Sequence, residues 1–401
     1  MKGYCRRGAL AALIALLTAA PSLAQTAVKV GVLNDQSGPY SEYTGAGSVD
    51  AARMAIEDFG GKALGQPIEL LSGDHQNKPD TALSIAKRWL NTQGVDVIVD
   101  VPTSSVALAI QNLMRERRKI VLFSGAGTSE LTGKACSPYG VHWTYDSYAI
   151  AHAPVRAAMQ SGLKSWYFVT VDFAFGHALQ RDATVAIEAE GGTVLGAVRH
   201  PFNMPDFSST LLTAKGANPD IIGIANAGPD MINALKQAKE FGMPAEGQKI
   251  VAFLMTTTDV HGLGLKVARG ALATESFYWD MNETTRAFAK RFFERNGKMP
   301  TMIHAGVYGA VMHYLKAVAT AGSTDSDVVM QAMRKAPIND MMTRDGTIRE
   351  DGRVMREFHV FEVKAPGESK APWDYYKPVR TIPPQEGALP LSESQCDLVK
   401  K

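Results

Sequence analysis

Two short stretches carry most of the residues able to hold a small polar molecule. They are Pro102-Thr103-Ser104-Ser105 and Ser124-Gly125-Ala126-Gly127-Thr128. Both pair hydroxyls with small residues whose backbone N–H groups are open, and the first enters a helix at its positive end. Neither contains Lys or Arg, so the pair suits one carboxylate better than a phosphate. Taken singly, Thr103, Ser104 and Thr128 read as caps or turn residues. Their combination at adjacent strand ends is what makes a cradle. A second set is Asp172-Phe173-Ala174-Phe175-Gly176 with Asn226-Ala227-Gly228-Pro229-Asp230. Asp230 either supplies a negative charge to a helix N-terminus or faces a cleft, where it would accept hydrogen bonds from an ammonium or a hydroxyl. Tyr43, Phe175, Tyr278 and Trp279 are candidate apolar walls.

Catalytic patterns are missing. Gly45-x-Gly47 precedes a helix, but Asp50 stands where a dinucleotide fingerprint needs its third glycine. Gly125-x-Gly127 has no following Lys-Ser/Thr, and there is neither His-Glu-x-x-His nor Gly-x-Ser-x-Gly. Asp172 and His177 could pair near a cleft, yet no nucleophile accompanies them. The reading is a binding protein with no cofactor and no metal, and a cleft hydrolase is the disfavoured alternative.

The elements that must position these loops alternate. Residues 28–33, 68–72, 95–101 and 120–123 are short apolar runs that read as strands. Helical segments 48–59, 78–91 and 104–116 separate them. The pattern restarts with helix 147–161 and strands 166–170, 193–200, 221–225, 250–254 and 271–277, interleaved with helices 176–190, 207–214 and 230–241. Alternation of this kind implies parallel sheets covered by helices. Helix 303–321 belongs with the first unit, and 353–363 is a late strand. The fold class is therefore α/β, with two doubly wound parallel-sheet lobes joined by a multi-crossover hinge. Residues 27–147 with 278–345 form lobe one, 148–277 with 346–363 form lobe two, and 364–401 form a surface tail. Ligands in such sheets bind beyond the carboxyl ends of the strands.

Lys2, Arg6 and Arg7 precede an apolar run of about a dozen residues and Ser22-Leu23-Ala24, the layout of a secretory signal cleaved after Ala24. The run is too short to span a bilayer, and no later segment approaches that length. The formal charge of +2 falls to near zero without the leader, which excludes an electrostatic footprint for nucleic acid or an anionic membrane. Two cysteines remain, Cys136 and Cys396. In an oxidising compartment they read as one disulfide tying the tail to the body, with two buried thiols as the alternative.

The order and spacing of Ser37-Gly38-Pro39-x3-Tyr43, Thr103-Ser104-Ser105, Ser124-x-Ala126-x-Thr128, Phe207-Ser208 and Pro229-Asp230-Met231 resemble the periplasmic leucine/isoleucine/valine-binding proteins, the type I solute-binding proteins of ABC importers. The resemblance covers about residues 28–361. It implies a monomeric periplasmic clamp that closes on a small carboxylate ligand and hands it to a membrane permease, without inserting in the membrane. It places the ligand carboxylate on Thr103, Ser104, Ala126 and Thr128, and a ligand ammonium on Asp230, where Glu is usual. Tyr43 takes the place of the first-loop aromatic. Phe175 stands where the family has Tyr, and Pro102 where it has Cys. With Tyr278 and Trp279, Phe175 implies a larger apolar group, as in relatives that take up aromatic acids. The same clamp could also serve a signalling partner.

Overall fold

The computed structural model describes residues 27–245 and 247–400. The expected leader, residues 1–24, lies outside them.

Apolar runs form two parallel sheets. In the first, Lys29–Asn34 lies between Glu69–Asp74 and Val97–Asp100, followed outward by Ile120–Phe123 and Gly140–His142. In the second, Ser165–Val171 lies between Thr193–His200 and Ile221–Ala225, with Lys249–Ala252 beyond. Every pairing in both sheets is parallel. Val97–Asp100, Ile120–Phe123 and Ile221–Ala225 are buried along their whole length. That explains their unbroken apolar sequence, since helices cover both faces of a parallel sheet. The two lobes wind alike: the first strand of each sits between the second and third. Connections leave strands one and three on opposite faces, so a crevice opens at their carboxyl ends.

Gly45–Phe59, Pro79–Arg88 and Ser104–Glu116 cover the first sheet. The chain later returns to that lobe as Glu283–Asn296, Met302–Ala321 and Ser326–Lys335. Met302–Ala321 is buried on most of its surface because it packs on both Gly45–Phe59 and Ser326–Lys335. Among the described residues no helix is long and apolar enough to cross a membrane.

Three details differ from the sequence expectation. Gly140–His142 is an additional strand, three residues long and poor in β-formers, whose register is set by Ile120–Phe123. The expected strand 353–363 is split. Val354–Met355 pairs with Thr343–Ile348, and Arg353 bridges His142 beside the first sheet. Phe358–Val363 pairs instead with Leu272–Glu275 in the second lobe. Lobe one therefore keeps the chain to about residue 355 rather than 345. The break follows from burying two cations there: Arg353 lies 2.8 Å from Asp146, and the Arg356 guanidinium sits 5.7 Å from the Trp143 ring centre. Thirdly, the tail contains a strand, Tyr376–Ile382, added antiparallel to Phe358–Val363. Only its two end residues are buried, so its sequence reads as surface.

Residues 143–147, 276–282 and 356–357 cross between lobes, and the Arg353–Asp146 pair joins the first crossing to the third. The tail adds a fourth link. Glu386 meets Arg156 of lobe two at 2.7 Å, the Leu389 carbonyl accepts from Arg349 of lobe one at 2.7 Å, and Cys396 is bonded to Cys136. The expected disulfide is therefore present, and it seals a strap between the lobes.

Candidate functional site

The first-lobe side is shaped by buried carboxylates that fold the loops. Asp35 accepts from the N–H groups of Gly38 and Tyr40, both at 2.8 Å, which turns the loop and sets Tyr40 and Tyr43 with ring centres 6.0 Å apart. After Val97–Asp100 the backbone enters the left-handed region at Asp100, Val101 and Thr103 (φ 80°, 47° and 72°). For β-branched Val101 and Thr103 this is strained, and such strain persists where neighbours over-determine the path. Here Val101 N–H donates to the Leu33 carbonyl, and the Asp100 carbonyl accepts from Ser124 and Gly125 N–H. The loop delivers Thr103 to the N-cap of Ser104–Glu116, but its hydroxyl is donated to Asn77 and makes no capping bond. The first-turn N–H groups of that helix are thus left without a side-chain cap. Ser104 Oγ accepts from Thr128 N–H at 3.2 Å, fastening the two hydroxyl loops together.

The second lobe closes over this cradle. Tyr43 donates its hydroxyl to Asp259 Oδ1 at 2.6 Å and accepts from Gly228 N–H at 2.7 Å. Burial pushes the Asp259 carboxyl up to about 6, against the downward pull of Tyr43 and Thr256. Phe175 packs on Gly127 so closely that a Cβ there would stand 2.6 Å from its ring. Away from these contacts, Arg181 reaches Glu130 at 3.0 Å and Ser129 at 2.7 Å across the gap. Between the lobes lies a narrow cavity whose free space, about 20 Å³, holds roughly one water. Its polar end is Thr103, Ser104, Gly125 and Gly127. Its walls are mostly aromatic, and no acidic or basic side chain lines it.

Of the residues singled out in the sequence, Tyr43, Thr103, Ser104 and Phe175 line this cavity. Ala126 and Thr128 stand one step behind. The Ala126 carbonyl lies 2.8 Å from His142 Nε2, while glycines 125 and 127 take the exposed positions. Asp230 does not reach the cavity. Its oxygens accept from the N–H groups of Asn203 (2.9 Å) and Met204 (2.8 Å), closing a second-lobe loop. Tyr278 and Trp279 do not line this cavity. Both donate to the Trp373 carbonyl (3.0 and 2.8 Å), and the Tyr278 ring packs on Phe361 and Tyr376. The strand before them, Leu272–Glu275, belongs to an antiparallel sheet, so its end is not aimed at the crevice.

Five lining residues, Thr44 among them, escaped the sequence reading. Tyr40 shares its loop with Tyr43. Tyr145 follows the undetected strand Gly140–His142, Leu254 follows the last parallel strand, and Ile303 opens the returning helix. The aromatic-rich run Trp143-Thr144-Tyr145, just before a helix, was the available signal for Tyr145. Asp172 and His177 do pair, at 2.8 Å, but half exposed and outside the cavity. Among the described residues no His, Cys, Asp or Glu cluster could hold a metal.

Known proteins share this plan. The periplasmic binding protein family matches residues 27–370. A periplasmic binding protein from Burkholderia mallei is 44% identical, covers 93% of this chain and 99% of its own, and superposes with a TM-score of 0.91. A branched chain amino acid ABC transporter periplasmic ligand-binding protein from Burkholderia xenovorans is 43% identical over 93% of this chain and all of its own, with a TM-score of 0.84. A solute binding protein of an ABC transporter from Rhodopseudomonas palustris, solved with 3,4-dihydroxybenzoic acid, has the same fold (TM-score 0.80, 21% identity, 89% and 98% coverage). With the family matched over residues 27–370 and a relative of 44% identity superposing over nearly its whole length, this chain belongs to the periplasmic binding protein family.

Proposed function

We propose that this protein is the exported, ligand-capturing component of an ABC importer, and that its ligand is an aromatic or apolar monocarboxylate rather than a zwitterionic amino acid. The observation that carries this is the make-up of the cavity: a hydroxyl and N–H cradle at one end, aromatic walls, and no charged lining side chain. A carboxylate would sit on the first-turn N–H groups of Ser104–Glu116, with Thr103, Ser104 and Gly125 beside it. An ammonium would have no anion to meet, because Asp230 is occupied by Asn203 and Met204. Burying a charge without a partner costs several kcal/mol. The R. palustris protein is a case of this fold holding a dihydroxylated benzoic acid, and the B. xenovorans protein carries an amino-acid name.

Capture works by population shift. Lobe one offers the carboxylate cradle while open; lobe two then adds Phe175 and the Tyr43 contacts, and the ligand favours closure only by its extra affinity for the closed form. The outer surface of that form is what a membrane permease would read. A melting-temperature screen of benzoates, phenylalkanoates and amino acids on the exported protein tests the ligand class, since binding stabilises the native state by mass action. Selective stabilisation by aromatic acids is expected; stabilisation by leucine or valine alone would reject the reading.

A further inference from the structure

Asp100 is fully buried at the end of its strand. Its Oδ2 accepts from Asn34 Nδ2 at 3.1 Å, whereas Oδ1 makes no well-formed hydrogen bond and is reached only weakly by the Ser48 hydroxyl. That oxygen lies against the back of the cradle: a Cβ built on Gly125 would stand 2.9 Å from it and 2.8 Å from Pro102. Gly125 and Pro102 both line the cavity, so one thickness of backbone separates Asp100 from the place argued for the ligand carboxylate. The groups around it are neutral: Asn34 from the neighbouring strand, Ser48 from Gly45–Phe59, and Tyr145, whose hydroxyl donates to the Gly125 carbonyl at 3.0 Å. Among the described residues no cation bears on it; His75, bonded to the Pro102 backbone, is pushed down to about 4 by burial and is neutral at pH 6 to 9. Burial pushes its carboxyl up to about 7, with Ser48 and Asn34 pulling the other way.

Two carboxylates this close in a site without cations cannot both stay ionised. Resting on the carboxylate reading above, we propose that Asp100 is the proton partner of ligand binding: an anionic ligand enters the cradle together with one proton, which Asp100 takes up. The direction follows from linkage. The complex holds more protons than the free protein, so affinity is greatest at low pH and falls as pH rises through neutrality, approaching about tenfold per pH unit. Aromatic carboxylic acids are themselves fully ionised over that range, so the ligand does not supply the effect. The same charge balance disfavours dianions, which bring a second charge that one proton cannot offset.

Other buried acids near the cleft are Asp35 on the first lobe, joined to Thr103 through Asn77, and Asp259 and Asp230, with His200 beside it, on the second. They could exchange protons on closure, and the test must separate them from Asp100. Benzoate and 3-phenylpropanoate are titrated calorimetrically at pH 6 to 9 in buffers of different ionisation enthalpy, with wild type and Asp100→Asn. The expected wild-type result is uptake of about half a proton at pH 7, rising toward one at pH 8, with affinity falling in step. In Asp100→Asn the uptake vanishes and affinity is flat with pH. Tight binding with no proton uptake at pH 8 would overturn the proposal and leave the ligand reading intact. Uptake that survives in Asp100→Asn would assign it to another buried acid, Asp35, Asp230 or Asp259, and equally overturn it. Binding of neither acid would remove the ligand reading and this proposal with it. If that variant does not fold, Asp100→Ser takes its place for the assignment, and absence of uptake in the wild type alone still overturns the proposal.

Discussion

The lobes of this protein meet along two edges, and the edges are built from different materials. On the cleft side the links are single side chains: the Tyr43 hydroxyl between Gly228 and Asp259, and the Phe175 ring on Gly127. On the hinge side they are backbone crossings, the buried Arg353–Asp146 pair and a strap sealed by Cys136–Cys396. On the proposed reading, the first kind forms and breaks with each ligand. The second holds the lobes in register throughout. Substitutions on the cleft edge should therefore change affinity and spare stability, and those on the hinge edge should do the reverse.

The largest effects should come from positions where nothing can give way. Asp146→Ala leaves Arg353 buried without its acid and removes the cap of Ser147–Met159. Loss of about 3–5 kcal/mol of stability is expected in chemical denaturation, and a change below 1 kcal/mol would show that the pair does not hold the hinge. On the other edge, Gly127→Ala places a methyl group 2.6 Å from the Phe175 ring and should keep the lobes apart. Affinity should drop by roughly a hundredfold or more, the equivalent of about 3 kcal/mol, with a melting temperature close to wild type. Near-normal affinity would mean that the lobes close less tightly than described.

Cys396→Ser comes next. Opening the strap should cost about 2–4 kcal/mol of stability, while calorimetric affinity stays within a few-fold. Tyr43→Phe leaves Asp259 and Gly228 N–H short of a partner only when the lobes are closed, so it should weaken binding by roughly 10- to 100-fold with little change in melting. If it destabilises the free protein as much as it weakens binding, the contact is not specific to closure. The smallest effect is predicted for Trp279→Phe, within about twofold in affinity, because Trp279 holds the tail and not the ligand. A large loss there would put Trp279 back in the site.

The pH dependence of stability provides a further check. The Asp100 carboxyl titrates higher in the folded protein (about 7) than its ordinary 3.8. The folded state therefore binds the extra proton, and stability from this group is lost as pH rises from about 4 through 7. Asp100→Asn should be free of that loss.

The sequence displayed what depends on local pattern. Apolar runs marked the parallel strands, and the hydroxyl loops after 101 and 123 lie at the polar end of the cavity. Phe175 and Tyr43 were legible because they follow strands of the parallel sheets. Tyr278 and Trp279 follow an apolar run of the same appearance, but Leu272–Glu275 pairs antiparallel with a segment far along the chain. Pairing partners of that kind leave no local trace. Asp230 misled for a related reason. Its carboxylate is claimed by the N–H groups of residues 203 and 204, a loop whose shape no periodicity encodes. Tyr145 stayed hidden because three residues, Gly140–His142, are too few to read as a strand.

The central claim is that the cleft accepts a carboxylate on an apolar body and has nothing for an ammonium. The sharpest measurement is a pair of calorimetric titrations with 3-phenylpropanoate and phenylalanine, which share a skeleton and differ by the amino group. The account predicts that the acid without the amine binds at least roughly a hundredfold more tightly, the scale of an unpaired buried charge. Equal or tighter binding of phenylalanine would contradict it, and would return Asp230 to the role of ammonium partner.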